Sequence, residues 1–287
     1  MKAKMTDKVS TLKILFFPDM VGRPGRYAVR DFMQNPASFS PNIDIDLNDC
    51  FVIANVENAS HGFGLTEKNY NEISEYGVHC MTSGNHIWDK KEISNYIENA
   101  SKLLRPINYP NTVQGKGGEI FEYKDYKIGV INALGRVFMT PIENPWEIVK
   151  AEIERIRKIT PVIVVDFHAE ATAEKICFAK YCSELGCSAF FGTHTHVQTA
   201  DECIIDNRTG YITDAGFCGA AEGVIGMDYT TSLNRFLTAL PERYEVANST
   251  TTQINAVLVE INPETGYAVA IKRFYCSRKE TDEVKSQ

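Results

Sequence analysis

Two histidines one residue apart, His194 and His196, end a Gly-Thr-His-Thr-His segment that directly follows an apolar run. Imidazole is the commonest metal-binding side chain, and side chains at i and i+2 of an extended backbone point to the same side. A strand that ends in this pattern can therefore aim both rings at one metal ion. Taken alone, the pair fits surface histidines equally well, so other segments must decide between the two interpretations.

Five segments share one local form, in which an apolar strand is followed at once by oxygen or imidazole ligands. The candidate ligands are Asp19, Glu57, Asn58, Asn85, His86, His168, His194 and His196. Each segment has an alternative without function: a turn or cap at 19, a solvated strand end at 57–58, an Asx turn at 85–86 and a core histidine at 168. To explain the five segments without a metal, all of these alternatives must be true at once, so a metal centre is the better interpretation.

The mixture of ligand types favours two metal ions over one. A zinc site made of histidines alone would need neither the carboxylates nor the asparagines. In a binuclear site, one carboxylate bridges cations that lie about 3.5–4 Å apart, and the other ligands divide between them. Carboxylate oxygen, amide oxygen and imidazole together suit iron, manganese or zinc.

The composition is that of a globular protein, with 287 residues, 44% hydrophobic and 23% charged. A net charge of −7 argues against a surface that binds nucleic-acid backbones. The eight cysteines lack any Cys-x-x-Cys pair, which indicates buried free thiols in a reducing compartment. No apolar run approaches about 18 residues. We therefore expect a cytoplasmic protein without a membrane partner.

The order of predicted elements indicates an α/β fold. Apolar runs predict strands at 12–17, 50–56, 78–82, 161–167 and 188–191, and helical patterns predict helices at 27–33, 66–76, 89–99, 147–158 and 171–185. A more antiparallel β region follows. We expect one domain over 12–277, with a disordered tail at 1–11 and a polar tail at 278–287. Binding residues in such folds gather outside the carboxyl ends of the strands, where the candidate ligands lie.

Four longer motifs carry a family resemblance. They read Val-Glu-Asn-Ala at 56–59, Gly-Asn-His-Ile-Trp-Asp at 84–89, Asp-Phe-His-Ala-Glu-Ala-Thr at 166–172 and Gly-Thr-His-Thr-His-Val-Gln-Thr-Ala-Asp at 192–201. The sequence resembles calcineurin-like metallophosphoesterases, and specifically their YmdB-like branch, from about residue 12 to 275. The common superfamily pattern has an early Asp-x-His and an Asp as the bridge. Here Asp19-Met-Val and Glu57 take those places, a departure typical of the branch.

The resemblance implies a layered α-β-β-α sandwich with mixed sheets and two divalent or trivalent metal ions, iron or manganese. By residue-to-residue transfer, Asp19, Glu57, Asn58 and His196 hold one ion, and Glu57, Asn85, His168 and His194 hold the other, with Glu57 as the bridge. His86 lies beside a ligand and is assigned as the general acid for the leaving oxygen.

The implied activity is phosphodiester hydrolysis of nucleoside 2′,3′-cyclic phosphates by a hydroxide between the two ions, in a homo-oligomer. The alternatives are a metal-dependent phosphomonoesterase or protein phosphatase, and a regulatory nucleotide-binding protein with little turnover. The loop at 216–223 is either a rim of the substrate site or a flexible surface loop. His61 is expected near the same opening, without a direct role in the chemistry.

Overall fold

The computed structural model describes residues 11–43 and 45–279. The helices in these residues are α1 (Gly22–Gln34), α2 (Glu67–Glu75), α3 (Ile93–Tyr96), α4 (Pro145–Arg157), α5 (Thr172–Glu184) and α6 (Tyr229–Thr238), with 3₁₀ turns at Pro36–Ser38, Leu47–Asp49 and Ile97–Asn99. Most of the two expected tails, 1–10 and 280–287, lies outside the described residues.

The strands form two sheets. In chain order they are β1 (Leu12–Phe17), β2 (Cys50–Asn55), β3 (Cys80–Thr82), β4 (Gly118–Tyr123), β5 (Tyr126–Leu134), β6 (Ile163–His168), β7 (Ala189–Thr193), β8 (Cys203–Ile205), β9 (Thr209–Ile212), β10 (Gly219–Ala220), β11 (Thr251–Ile261) and β12 (Ala268–Lys279). The last strand ends beyond the expected domain end at 277.

Both sheets mix parallel and antiparallel pairs. In the first sheet the order is β10-β11-β1-β2-β3, with β12 paired to β11. There β1, β2 and β3 are parallel neighbours, and β11 runs antiparallel to β1. The second sheet has the order β4-β5-β6-β7-β9-β8, in which β5, β6, β7 and β9 run parallel. The predicted mixed sheets are confirmed.

Alternation of apolar side chains along the strands creates the layers. On β1, Ile14 and Phe16 pack into the core between the two sheets, whereas Leu15 and Phe17 pack under α1, α2 and α3. On β6, Val164 faces the core between the sheets, and the side chains on either side of it pack under α4 and α5. Successive side chains of a strand point to opposite faces, so each sheet is buried on both. The predicted α-β-β-α sandwich is confirmed.

Two predicted helices differ from the structure at their ends. Helix α1 begins at Gly22 instead of residue 27, because Pro24 lies in its first turn, where no backbone N–H is required. The predicted helix at 89–99 reduces to the short α3 and the 3₁₀ turn that follows it. Asp89 and Glu92 have the spacing of a capping box, but their carboxylates accept hydrogen bonds from His86 and from the backbone N–H of Glu67 instead.

The sequence predicts buried free thiols and no apolar segment long enough to cross a membrane. Cys177 and Cys203 are exposed, and the other six cysteines are buried; all eight are free thiols. Among the helices of residues 11–43 and 45–279, none combines the length and the apolar character needed to cross a bilayer.

Candidate metal centre

The predicted ligands converge at one edge of the sandwich. Asp19 follows β1, Glu57 and Asn58 follow β2, Asn85 and His86 follow β3, His168 ends β6, and His194 and His196 follow β7. Because β1, β2 and β3 are parallel neighbours in one sheet, and β6 and β7 in the other, their carboxyl ends lie on the same side. The two sheets therefore supply the candidate site together.

Three atoms with lone pairs, each able to act as a metal-ligand donor, lie about 3 Å from one nitrogen of His168. Its Nε2 lies 3.0 Å from Oε1 of Glu57, 3.1 Å from Oδ1 of Asn85 and 3.0 Å from Nδ1 of His194. Ligands that lie at right angles about 2.1 Å from one ion are about 3 Å apart. One proton cannot satisfy all three contacts at once. The donor set therefore fits a cation placed among these four atoms.

Each histidine of the cluster commits one ring nitrogen to a fixed acceptor. Nδ1 of His168 donates to the Thr193 hydroxyl at 3.0 Å, and Nε2 of His194 donates to Glu170 at 3.1 Å. Nδ1 of His196 donates to the carbonyl of Ile225 at 2.9 Å. In these tautomers the other nitrogen of each ring carries a lone pair, which is the form that binds metals.

Two further oxygens are buried without a hydrogen bond. Among residues 11–43 and 45–279, Oδ1 of Asp19 and Oδ1 of Asn58 have no partner. The second polar atom of each side chain is engaged: Oδ2 of Asp19 accepts from the backbone N–H of His194 at 3.2 Å, and Nδ2 of Asn58 donates to the carbonyl of Gly62 at 2.9 Å. A buried unpaired acceptor costs about 1–3 kcal/mol. Both oxygens fit ligands of a metal ion.

Three of the predicted ligands form one tight group, and the other predicted ligands lie around it. Ligand atoms of Glu57, His168 and His194 all lie within 4.8 Å of one another, and this is the one such group of histidine, cysteine and carboxylate side chains in the described residues. Asp19 and His196 lie outside it. Oδ1 of Asp19 is 3.7 Å from Nδ1 of His168. The structure therefore brings the predicted residues to one place, with the densest packing at His168.

Gly84 leaves the space that this packing needs. A Cβ added to it would lie 2.2 Å from Oε2 of Glu57 and 2.5 Å from Nε2 of His168. No other residue can occupy that point without displacing both side chains. The Gly-Asn-His sequence is thus explained by close approach of the backbone to the donor cluster.

The carboxylates control the protonation of the cluster. Burial lowers the pKa of His168, but the Glu57 and Asp19 carboxylates outweigh it and raise the pKa to about 9. Burial opposes ionisation of Glu57, yet the charge and hydrogen bond of His168 lower its pKa to about 2. Burial, with the charge of His168, lowers the pKa of His194 to about 3, so this ring stays neutral. Without a metal ion, a proton on His168 supplies the positive charge that the carboxylates require.

A hydroxyl and a buried carboxylate orient His168. The Thr193 hydroxyl accepts from the ring and donates to Oδ1 of Asp166 at 2.8 Å. Asp166 also accepts from Nδ2 of Asn55 at 2.9 Å and from the Thr82 hydroxyl. Burial raises the pKa of Asp166 to about 6. Asp166 is not among the ligands predicted from the sequence. An acidic residue inside the apolar β6 nevertheless indicates a buried polar contact, because buried carboxylates are almost always paired.

A buried ion pair holds the turn that carries His194 and His196. Nζ of Lys175 on α5 lies 2.7 Å from Oδ2 of Asp214, and both side chains are only 1% exposed. The same oxygen accepts from the backbone N–H of Thr195 at 3.0 Å and from its hydroxyl at 2.8 Å. The pair therefore fixes the residue between the two histidines, a role that the sequence did not reveal.

A cavity of about 400 Å³ opens beside the donor cluster. Glu57, Asn58, His194 and His196 line it together with His86. Nδ1 of His86 donates to Asp89 at 2.9 Å, which leaves Nε2 for other contacts. The ring also packs on the edge of Phe63, 4.8 Å between centroids.

Two segments whose roles the sequence left open lie near this cavity. His61 lines a separate cavity, which shares Tyr244 with the first and also includes Arg23. In the loop at 216–223, the ring of Phe217 stacks on His196, 5.4 Å between centroids and 21° between planes. Through this stacking contact, part of the loop packs against the predicted ligand His196.

The profile of the YmdB-like protein family matches residues 15–274. The chain belongs to the YmdB-like family. A Bacillus subtilis relative named 2′,3′-cyclic-nucleotide 2′-phosphodiesterase is 42% identical over 262 residues, covering 91% of this chain and 96% of the relative. The resemblance inferred from the four motifs is confirmed.

Two solved structures of similar length share the fold of this chain. A Mycoplasma pneumoniae protein described as a novel phosphatase has a TM-score of 0.83 and 31% identity, covering 97% of this chain and 98% of that one. A hypothetical protein from Thermus thermophilus has a TM-score of 0.81 and 33% identity, covering 94% and 100%. Both structures thus support the sandwich fold of this chain.

Replacing Thr193 by Val is expected to weaken Mn²⁺ binding to the metal-free protein about 10- to 100-fold, because the ring of His168 loses the hydroxyl that orients it. Thr193→Ser keeps the hydroxyl and is expected to bind like the wild type. Calorimetric titration with Mn²⁺ measures both variants. Equal affinities for the Val and Ser variants would show that the hydroxyl does not position the ligand.

Replacing Lys175 by Met is expected to lower the free energy of unfolding by about 3–5 kcal/mol, because Asp214 is left buried without a counter-charge. Adding Asp214→Asn removes that charge and should recover part of the loss. Lys180→Met, at an exposed position of α5, is the matched control and should change stability little. Urea unfolding monitored by circular dichroism measures all four proteins. A Lys175 variant as stable as the control contradicts the prediction.

Proposed function

We propose that this chain is a two-metal phosphodiesterase that hydrolyses nucleoside 2′,3′-cyclic phosphates. The observation that carries the proposal is the crowding of Glu57, Asn85 and His194 around Nε2 of His168, at a cavity that also contains His86. The name of the B. subtilis relative supplies the substrate class. The family and the donor cluster together support a metal-dependent hydrolase.

The proposed ligand sets follow from the donor atoms. Glu57, Asn85, His168 and His194 would hold one ion, and Asp19, Glu57, Asn58 and His196 would hold the other. The short contacts around His168 support the first set, and the unpaired oxygens of Asp19 and Asn58 support the second. Imidazole, amide and carboxylate donors suit iron or manganese.

When bound, the ions would supply Lewis acidity, which would activate a water for in-line attack at phosphorus and neutralise charge on the phosphoryl oxygens. In the overall step, one P–O bond forms to the water oxygen and one ribose P–O bond breaks. His86 would give a proton from Nε2 to the departing ribose oxygen, and the product is a phosphate monoester. Asp89 bonds the opposite ring nitrogen and so favours a ring orientation in which Nε2 is free for this role.

Three parts of the earlier expectations stay predictions. They are the homo-oligomer, the cytoplasmic location and the identity of the native metal. Each rests on the family resemblance or on composition alone.

The direct test is hydrolysis of 2′,3′-cyclic AMP by metal-free and Mn²⁺-reconstituted protein, with 3′-AMP as the competing monoester substrate. We expect metal-dependent opening of the cyclic diester and much slower release of inorganic phosphate from 3′-AMP. Faster attack on the monoester would favour a phosphomonoesterase. Bound Mn²⁺ without turnover of either compound would favour a regulatory nucleotide-binding protein.

Replacing His86 by Ala is expected to lower kcat for 2′,3′-cyclic AMP about 10²- to 10⁴-fold while Mn²⁺ binding is retained. The loss should be much smaller for bis(p-nitrophenyl) phosphate, because p-nitrophenolate departs without a proton. Steady-state kinetics with both substrates measure the contrast. Equal losses on the two substrates would rule out the proton-donor role and leave His86 with a positioning role.

A further inference from the structure

The cavity beside the donor cluster is lined by two chemically different sets of side chains. One set contains the predicted ligands and His86. The other set, here called the apolar wall, contains Phe63, Val224, Ile225, Met227, Phe236 and Tyr244. A cyclic phosphate on a ribose is polar throughout, so the reacting group alone gives no reason for such a wall.

Phe236 is the most exposed aromatic side chain of this wall. It lies on α6 and is 80% exposed. The helix buries a single residue, Ser232, and is fixed at its start because Asp228 accepts from the backbone N–H of Thr231 at 2.9 Å. Packing of the protein core therefore does not explain a large ring at this point.

Ile225 occupies a backbone conformation that disfavours isoleucine. It forms a two-residue turn with Gly226, and the backbone N–H and carbonyl groups of Val224 and Met227 pair across the turn at 2.8 and 2.9 Å. Both turn residues have positive φ, 49° and 90°. Asn-Gly is the preferred sequence for such turns, and a β-branched residue there is an outlier.

The position of the Ile225 side chain explains why isoleucine occupies this turn. It is 47% exposed and lines the cavity. The turn itself gains nothing from an apolar branched side chain. Strained residues of this kind persist where a ligand uses them.

Neighbouring groups hold two more rings of the wall in place. The guanidinium of Arg235 lies over the ring of Tyr244, 4.1 Å from its centroid. The ring of Phe63 lies 6.2 Å from Tyr244 and packs on His86. These two rings are thus held by contacts within the protein, and Phe63 lies next to the proposed proton donor.

We propose that the apolar wall is a nucleobase subsite, with Phe236 and Ile225 as its specificity-determining contacts. The inference rests on the proposed function, since it places the base of a nucleoside cyclic phosphate while the phosphate meets the donor cluster. Aromatic side chains stack on any base, so the subsite selects nucleotides over base-free cyclic phosphates without a strong preference among bases.

The test compares 2′,3′-cyclic AMP with 1-O-methylribose 2,3-cyclic phosphate, which has the same reacting group and no base. Phe236→Ala is expected to lower the ratio of their kcat/KM values about tenfold, mainly through KM for the nucleotide. Leu237→Ala is the matched control, because this neighbour on α6 is 74% exposed and does not line the cavity. We expect the control to leave the ratio unchanged.

Ile225→Asn separates the ligand contact from folding. Asn suits the positive φ of the turn, so the melting temperature should rise. The kcat/KM ratio should fall as it does for Phe236→Ala, since the apolar contact is lost. An unchanged ratio in both variants would overturn the subsite.

Binding measurements distinguish failure of the subsite from failure of the proposed function. Calorimetry with 3′-AMP and with ribose 3-phosphate, on wild type and Phe236→Ala, detects the base contact without turnover. Weaker binding of 3′-AMP alone supports the subsite even if neither cyclic substrate is hydrolysed, a result that would refute only the phosphodiesterase. Unchanged 3′-AMP binding, with a smaller particle in size-exclusion chromatography, would assign the wall to an interface between copies and overturn the proposal.

Discussion

The structure depends on bringing several lone pairs to one buried point. Nε2 of His168 meets an imidazole, an amide oxygen and a carboxylate oxygen at about 3 Å, and a single proton cannot satisfy all three contacts at once. Such an arrangement must be built by the surrounding fold, because the ligands repel one another. Two sheets supply it. The parallel strands β1, β2 and β3 in one sheet, and β6 and β7 in the other, end side by side, so each places predicted ligands at the same edge.

The supporting polar groups lie deeper than the ligands. Asp166, Thr193 and Asn55 connect the two sheets through hydrogen bonds directly beneath His168. The Lys175–Asp214 pair ties α5 to the turn that carries the other histidines. Buried groups of this kind destabilise a protein when unpaired, so the fold and the orientation of the ligands depend on the same contacts.

The sequence predicts that the candidate ligands lie close together, because each one follows or ends an apolar strand, and the structure places them at one edge of the sandwich. Asp19 and His168 could be placed at strand ends without knowing the strand order. The helix over 89–99 could not be predicted correctly, since Asp89 bonds the neighbouring ring of His86 and Glu92 bonds the distant backbone N–H of Glu67 instead of capping. The apolar wall could not be predicted from the sequence either. Phe63 and Phe236 belong to segments far apart in the sequence, and only the folded chain brings them to one cavity.

Whether the donor cluster at the strand ends binds two ions can be decided by anomalous scattering from crystals of the Mn²⁺-loaded protein, measured at the manganese edge. We expect two peaks that share Glu57. One should lie against His168, His194 and Asn85, and the other against Asp19, Asn58 and His196. Absence of a peak beside Nε2 of His168 in fully loaded protein would contradict the proposed metal centre.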